Sequence, residues 1–193
     1  GPAMLVYLDA NKNKKGKPNE NFAREVLELF TLGEGQGYTE KDIRESARAY
    51  TGWRVNFKAG GFVFKSRAHD SGKKTVLGES GYFDGLDVIQ IILKQQRVSE
   101  FLAEKLWREF VSLDPNPSES KRLAKIIRDN NYTLKPMMKA MFMSNSFRHP
   151  TNRGTLVKSP VELTIGTLRL LGLKPTNYKK VWNYQKRLGQ NVF

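Results

Sequence analysis

Four consecutive segments of helical period occupy the middle of the chain and restrict the folds open to it. "DVIQIILKQQ", "VSEFLAEKLWREFV", "SESKRLAKIIRDN" and "LKPMMKAMFMS" follow one another from Leu86 onward. Each repeats apolar residues at spacings of three and four, which places one apolar stripe along a helix. Two further helices are predicted before them. In "NENFAREVLELFTLG", Phe22, Ala23, Val26, Leu27 and Phe30 recur at helical spacing and Gly33 ends the run. In "YTEKDIRESARAYTGW", Thr39 is the expected N-cap with Asp42 in the capping-box position, and Ile43, Ala47 and Tyr50 form the apolar face. "SPVELTIGTLRLLG" carries the same signature, with Ser159 as cap, Pro160 at the first helical position and Glu162 closing the box. "YKKVWNYQKRLG" predicts a last helix.

The period changes once. Trp53, Val55 and Phe57 alternate with polar residues, Gly60 and Gly61 supply a turn, and Phe62 and Phe64 alternate again. The predicted architecture is therefore mainly α, a single compact helical domain over residues 1–193 with one small β-hairpin near residues 53–66. "RAHDSGKKTVLGESGYFDG" is glycine-rich and reads as irregular chain. Near the start, a short apolar stretch runs into a loop whose Lys12, Lys14, Lys15 and Lys17 are expected in solvent.

Two absences narrow the chemistry. There are no cysteines, so disulfides, thiolate zinc sites, iron–sulfur clusters and cysteine nucleophiles are excluded. No stretch approaches the ~20 apolar residues that a membrane-spanning helix needs. Charge points to partners. The chain carries a formal net charge of +14, and residues 146–193 hold nine Lys and Arg against one acid, Glu162. Such an excess favours polyanions: nucleic acid, anionic polysaccharide or an acidic membrane surface. Tyr178, Trp182 and Tyr184 lie among Lys179, Lys180, Lys186 and Arg187, a mixture able to stack bases, although no recognised nucleic-acid module is present.

Within this basic chain, residues 19–45 reverse the balance, with seven carboxylates and three bases. Asn21, Glu25 and Glu28 share a helix face, Arg24 can pair with Glu28, and Arg44 and Arg48 share a face of the next helix. If the "GEGQG" turn folds the helices together, Arg24, Arg44 and Arg48 meet Glu25 and Glu28 in a partly buried ionic network. The rival reading makes carboxylates such as Glu20 and Glu28 a catalytic acid and base. "HDSGKK" is the other candidate. His69 and Asp70 can form a dyad in which Asp70 orients the imidazole, and Lys73 follows in a Gly-Lys-Lys step. With His149 the only other histidine, a three-histidine zinc site is impossible within the chain, and neither metal nor cofactor is expected. Gly-x-Ser-x-Gly, dinucleotide and His-Glu-x-x-His signatures are all missing.

The segments "PAMLVYLD", "PNENFAREVLELFTLGEGQGYTEKDIRESARAYTGW", "HDSGKKTVLG", "VKSPVELTIGTLRLLG" and "LGQNVF" resemble, in that order, the bacterial family catalogued as domain of unknown function 1800. The resemblance covers essentially the whole chain. It implies a middle-to-C-terminal fragment of a longer helical protein that is usually exported to the periplasm or envelope, with a sulfatase-like protein as a possible partner. It implies no catalytic mechanism. Two functions remain open from the sequence. One is a binding or scaffold module for an anionic glycan or partner protein, with Asn19, Asn21, Arg24, Arg44, Arg48, Lys73, Lys179 and Lys180 as binding residues. The other is a hydrolase of an envelope polysaccharide, worked by Glu20 and Glu28 or by His69 and Asp70. Nucleic acid is disfavoured for an exported protein.

Overall fold

In the computed structural model, which describes residues 2–58 and 60–190, the apolar N-terminal stretch is itself a helix, α1 (Pro2–Tyr7), followed by a 3-10 turn at Ala10–Lys12. α2 (Asn21–Glu25) passes directly into a π-helical segment, Val26–Thr31. There the Leu32 amide reaches back five residues to the Leu27 carbonyl at 2.8 Å. Phe22, Ala23, Val26 and Leu27 are buried as the spacing predicts, but Phe30 is 47% exposed. The wider π turn carries Phe30 off the stripe that a 3.6-residue period assigns to it.

α3 (Glu40–Ala49) has the predicted capping box between Thr39 and Asp42, and Ile43, Ala47 and Tyr50 are completely buried. The expected hairpin follows as β1 (Trp53–Asn56) and β2 (Gly61–Phe64), with Trp53 opposite Phe64 and Val55 opposite Phe62. A second hairpin, β3 (Lys74–Val76) and β4 (Glu79–Gly81), stands where irregular chain is expected. Its turn places Leu77 and Gly78 both at positive φ, 49° and 84°, the geometry of a two-residue type I′ hairpin loop. Leucine is a poor residue for that position. It is held there because its amide donates to Asp42 Oδ1 at 2.7 Å and its side chain packs on the core.

The predicted helical series then appears as α4 (Gly85–Leu93), α5 (Gln96–Phe110), α6 (Pro117–Asp129) and α7 (Leu134–Phe142), followed by the short α8 (Asn145–Arg148). α9 (Pro160–Leu170) opens with the predicted Ser159–Glu162 box, and α10 (Tyr178–Arg187) is the last described helix. The fold is mainly α.

Two apolar clusters hold it together. The first joins α1, α2, α3, β3 and α4 through Leu5, Phe22, Leu27, Ile43, Tyr50 and Ile92. The second joins α5, α6 and α7 through Trp107, Leu123, Ile127, Met137 and Met141. Leu102 and Tyr132 pack against both and connect them. Neither cluster contains a residue of α9 or α10, which pack on each other.

Candidate functional site

The lysine-rich N-terminal loop hides a polar clip that its composition conceals. Lys12, Lys14, Lys15 and Lys17 are exposed, but Asn13 between them is completely buried. Its Nδ2 donates to the Ala47 carbonyl at 2.7 Å, and its Oδ1 accepts from the Asn19 amide at 2.9 Å. Asn19 Oδ1 in turn accepts from the Asn21 amide, and Asn21 Nδ2 reaches the Leu8 carbonyl at 3.3 Å. Asn19 and Asn21 are therefore occupied in fixing the entry of α2 against α1 and α3. A buried polar group left without such partners costs free energy, so each link favours this arrangement.

The five-member ionic network expected from the sequence divides into two separate clusters. In the first, Arg24 makes a bidentate pair with Glu40 at 2.9 and 2.7 Å and also reaches Glu28 at 3.3 Å and Glu20 at 3.6 Å. The two carboxylates proposed as an acid–base pair thus converge on one guanidinium. In the second, Arg48 binds Asp70 through Nε at 2.8 Å and Nη2 at 3.2 Å. Its Nη1 donates to both Glu45 oxygens at 3.0 and 2.8 Å and to the Lys73 carbonyl at 3.2 Å. Among the described residues, Glu25 and Arg44 make no ion pair within either cluster; Arg44 is exposed and bears on Glu40 only through its charge. Arg24 takes its main partner, Glu40, from the first residue of α3, and Arg48 takes Asp70 from the loop beyond the hairpin.

The π segment has its own supports. From α5, Lys105 Nζ donates to the Leu29 carbonyl at 2.8 Å, and Arg97 Nε donates to the Leu32 carbonyl at 3.0 Å. Carbonyls at a helix end lack intrahelical partners, and cations are favoured beside them. Arg97 is held in turn by a bidentate pair with Glu104 at 2.7 and 3.0 Å.

"HDSGKK" folds as a staple, and the dyad between His69 and Asp70 does not form. His69 Nδ1 lies 3.0 Å from the Thr51 carbonyl, while the Asp70 carboxylate faces Arg48 and accepts from the Gly72 amide at 2.9 Å. The Asp70 amide is itself bound by Thr51 Oγ1 at 2.7 Å. Lys74 is 1% exposed, and its ammonium donates to the Asp70 carbonyl at 2.5 Å and the Gly72 carbonyl at 2.9 Å. Burial pushes the Lys74 pKa down, with Asp70 opposing. Lys73 points to solvent and contributes only its carbonyl.

Hydrogen bonds from Arg48 hold the Asp70 carboxyl down to about 2; burial opposes, and the Gly72 amide assists. Its ordinary value is 3.8, so the folded state favours the charged form. Stability from this group is complete above the ordinary value and is lost as pH falls through the folded one. The shift is worth about 2 kcal/mol. The melting temperature is expected to fall between pH about 4 and about 2, and Asp70→Asn should flatten part of that slope while lowering stability at neutral pH. A melting curve recorded at several pH values checks both.

Hollows on the surface lie elsewhere. An apolar cleft of about 580 Å³ opens between α1, α2, the first hairpin and α4, walled by Leu5, Phe22, Phe30, Trp53 and Phe62. A polar one of about 700 Å³ lies between the α5–α6 connection and α8, beside Asp114, Asn116, Asn145 and His149. A third, of about 670 Å³, contains Asn19 and Glu20 with Lys12, Lys14 and Lys17, and Glu20 is its one carboxylate. No group of three or more His, Asp or Glu able to hold a metal ion occurs among the described residues. No helix of the structure is long and apolar enough to cross a membrane.

Of the C-terminal candidates, Lys179 and Lys180 lie exposed on the first turn of α10, beside exposed Lys186 and Arg187 at its end. A model of the family described as protein of unknown function (DUF1800) matches residues 1–193, the whole chain. The chain belongs to that family. No curated protein and no solved structure matches it.

Proposed function

We propose that the chain is a binding or scaffold module whose C-terminal helices hold an anionic polymer or an acidic partner protein in the bacterial envelope. The observation that carries this reading is the unbalanced surface of α9 and α10. Arg169, Lys174, Lys179, Lys180, Lys186 and Arg187 are exposed, as are Arg153 and Lys158 just before α9. Among the described residues from Ser146 onward the one acid is Glu162, which accepts from the Ser159 amide at 2.8 Å and feels the charge of Lys158. Unpaired exposed cations attract polyanions over roughly a screening length, about 10 Å at 0.1 M salt. What weighs against hydrolysis is the use already made of the carboxylates. Glu20 and Glu28 share Arg24, and Asp70 is taken by Arg48. A glycosidase needs two carboxyls flanking a substrate, whereas Glu20 alone lines the hollow beside it.

Titration with a heparin-like glycan and with duplex DNA tests the reading. Both should bind at about 0.1 M salt with little selectivity. Affinity should fall by more than about tenfold toward 1 M, where the screening length shrinks to ~3 Å. Lys179→Glu/Lys180→Glu should weaken both. No binding to either polymer at low salt would remove the reading.

A further inference from the structure

The turn between α9 and α10 exposes apolar side chains that a site for a soluble polyanion has no use for. Leu170 is 85% exposed, Leu171 61% and Leu173 55%, and Tyr178 just beyond them is 68% exposed. This is not a frayed end. The Leu173 amide donates to the Leu168 carbonyl at 2.8 Å, the Gly172 amide donates to Arg169 at 3.2 Å, and Gly172 sits at φ 65°. Those two bonds with a left-handed glycine form a Schellman motif, which fixes the path of the chain. The hairpin behind it is tied by Gln185 Nε2 to Thr164 Oγ1 at 2.9 Å and by the Val161 amide to Gln190 Oε1 at 2.9 Å. Three leucines in four residues are therefore held out on an ordered turn. Around them stand the exposed bases Arg169, Lys174, Lys179 and Lys180.

We propose that the α9–α10 turn docks on an anionic lipid surface, with Leu170, Leu171 and Leu173 entering the headgroup–acyl boundary and the flanking bases meeting lipid phosphates. The proposal rests on the reading of this region as a polyanion surface and names the anion. A glycan or nucleic acid satisfies the cations but leaves the leucines in water. A bilayer surface satisfies both, because its anionic headgroups overlie an apolar layer. Tyrosine at the edge of the tip suits the same boundary. A second copy of this chain fits poorly, since it would bring like charges together in a protein of net charge +14. A fluid layer accepts exposed leucines without a matching pocket, whereas an acidic protein partner would have to supply one.

Co-sedimentation of the full chain with vesicles of phosphatidylglycerol and phosphatidylcholine, and with vesicles of phosphatidylcholine alone, tests the idea, with soluble heparin as the control. The wild-type chain should bind the anionic vesicles at least about tenfold more tightly than the neutral ones. Leu170→Ser/Leu171→Ser/Leu173→Ser should lose about tenfold or more on vesicles while binding heparin unchanged. Lys179→Glu/Lys180→Glu should lose affinity for both. Because these positions lie outside both apolar clusters, circular dichroism and melting of the variants should match the wild type, and Leu170→Ser alone gives a milder second variant. Heparin binding without vesicle binding would overturn the lipid assignment and leave the polyanion reading standing. So would vesicle binding that ignores the leucines, or a concentration-dependent dimer that the triple variant abolishes. Binding to neither heparin nor vesicles would overturn both.

Discussion

Arg48→Ala is expected to lower the stability of the chain by about 2–4 kcal/mol, or the melting temperature by roughly 5–15 °C for a protein of this size. Arg48 makes five hydrogen bonds, to Asp70, Glu45 and the Lys73 carbonyl. Removing it leaves two carboxylates, each 19% exposed, without their guanidinium and with only the charge of Lys74 acting on them. Breaking one partner out of a fully buried pair costs ~3–5 kcal/mol, and the residual exposure here reduces that figure. Arg48→Lys should recover only part of the loss, since an ammonium cannot reproduce two bidentate pairs. Arg44→Ala is the internal contrast. Its side chain is exposed and acts on Glu40 only through its charge, so its effect should stay within about 0.5 kcal/mol. Urea denaturation of the three variants separates these outcomes.

Lys74→Met is expected to cost about 2–3 kcal/mol. Methionine fills a similar volume but cannot donate, and it leaves the Asp70 and Gly72 carbonyls without their buried partner. The loop from Asp70 to Lys73 would then lose its internal closure and keep its ties to Arg48 of α3 and to Thr51 just beyond it. Faster hydrogen exchange at the Gly72 amide, whose bond to Asp70 Oδ1 depends on the same loop geometry, should accompany the loss. An unchanged melting temperature would mean that the buried ammonium contributes nothing to holding the loop.

The elements legible in the sequence are those written in local signals. Thr39, Ser159 and the Trp53–Phe64 alternation each specify their own structure, and the two helices and the hairpin they predict are present. The features that escaped depend on residues far apart in the chain. The second hairpin was hidden because a Leu-Gly turn lacks the usual Asn or Gly signal, and the device that stabilises it, Asp42, lies 35 positions away. Asn13 looked like one more polar residue of a solvated loop, because its acceptor, Ala47, is 34 positions away. The π segment has no periodic signature of its own, and Phe30 within it lies half exposed instead of in the core. Arg24 and Arg48 each centre a separate cluster instead of sharing one network, and their partners include Glu40 and Asp70, which the helix-face argument does not assign to them.

Arg24 of the acidic motif and Asp70 of the "HDSGKK" loop are both held by charged partners on α3, Glu40 and Arg48. A double-mutant cycle on Arg48→Ala and Asp70→Ala measures this directly, because it isolates the coupling between two side chains from their separate effects. The expected result is a coupling of about 1.5 kcal/mol or more, with the double variant less destabilised than the sum of the single ones. Additive effects, with each substitution costing only a few tenths of a kcal/mol, would contradict the account and release Asp70 for a chemical role.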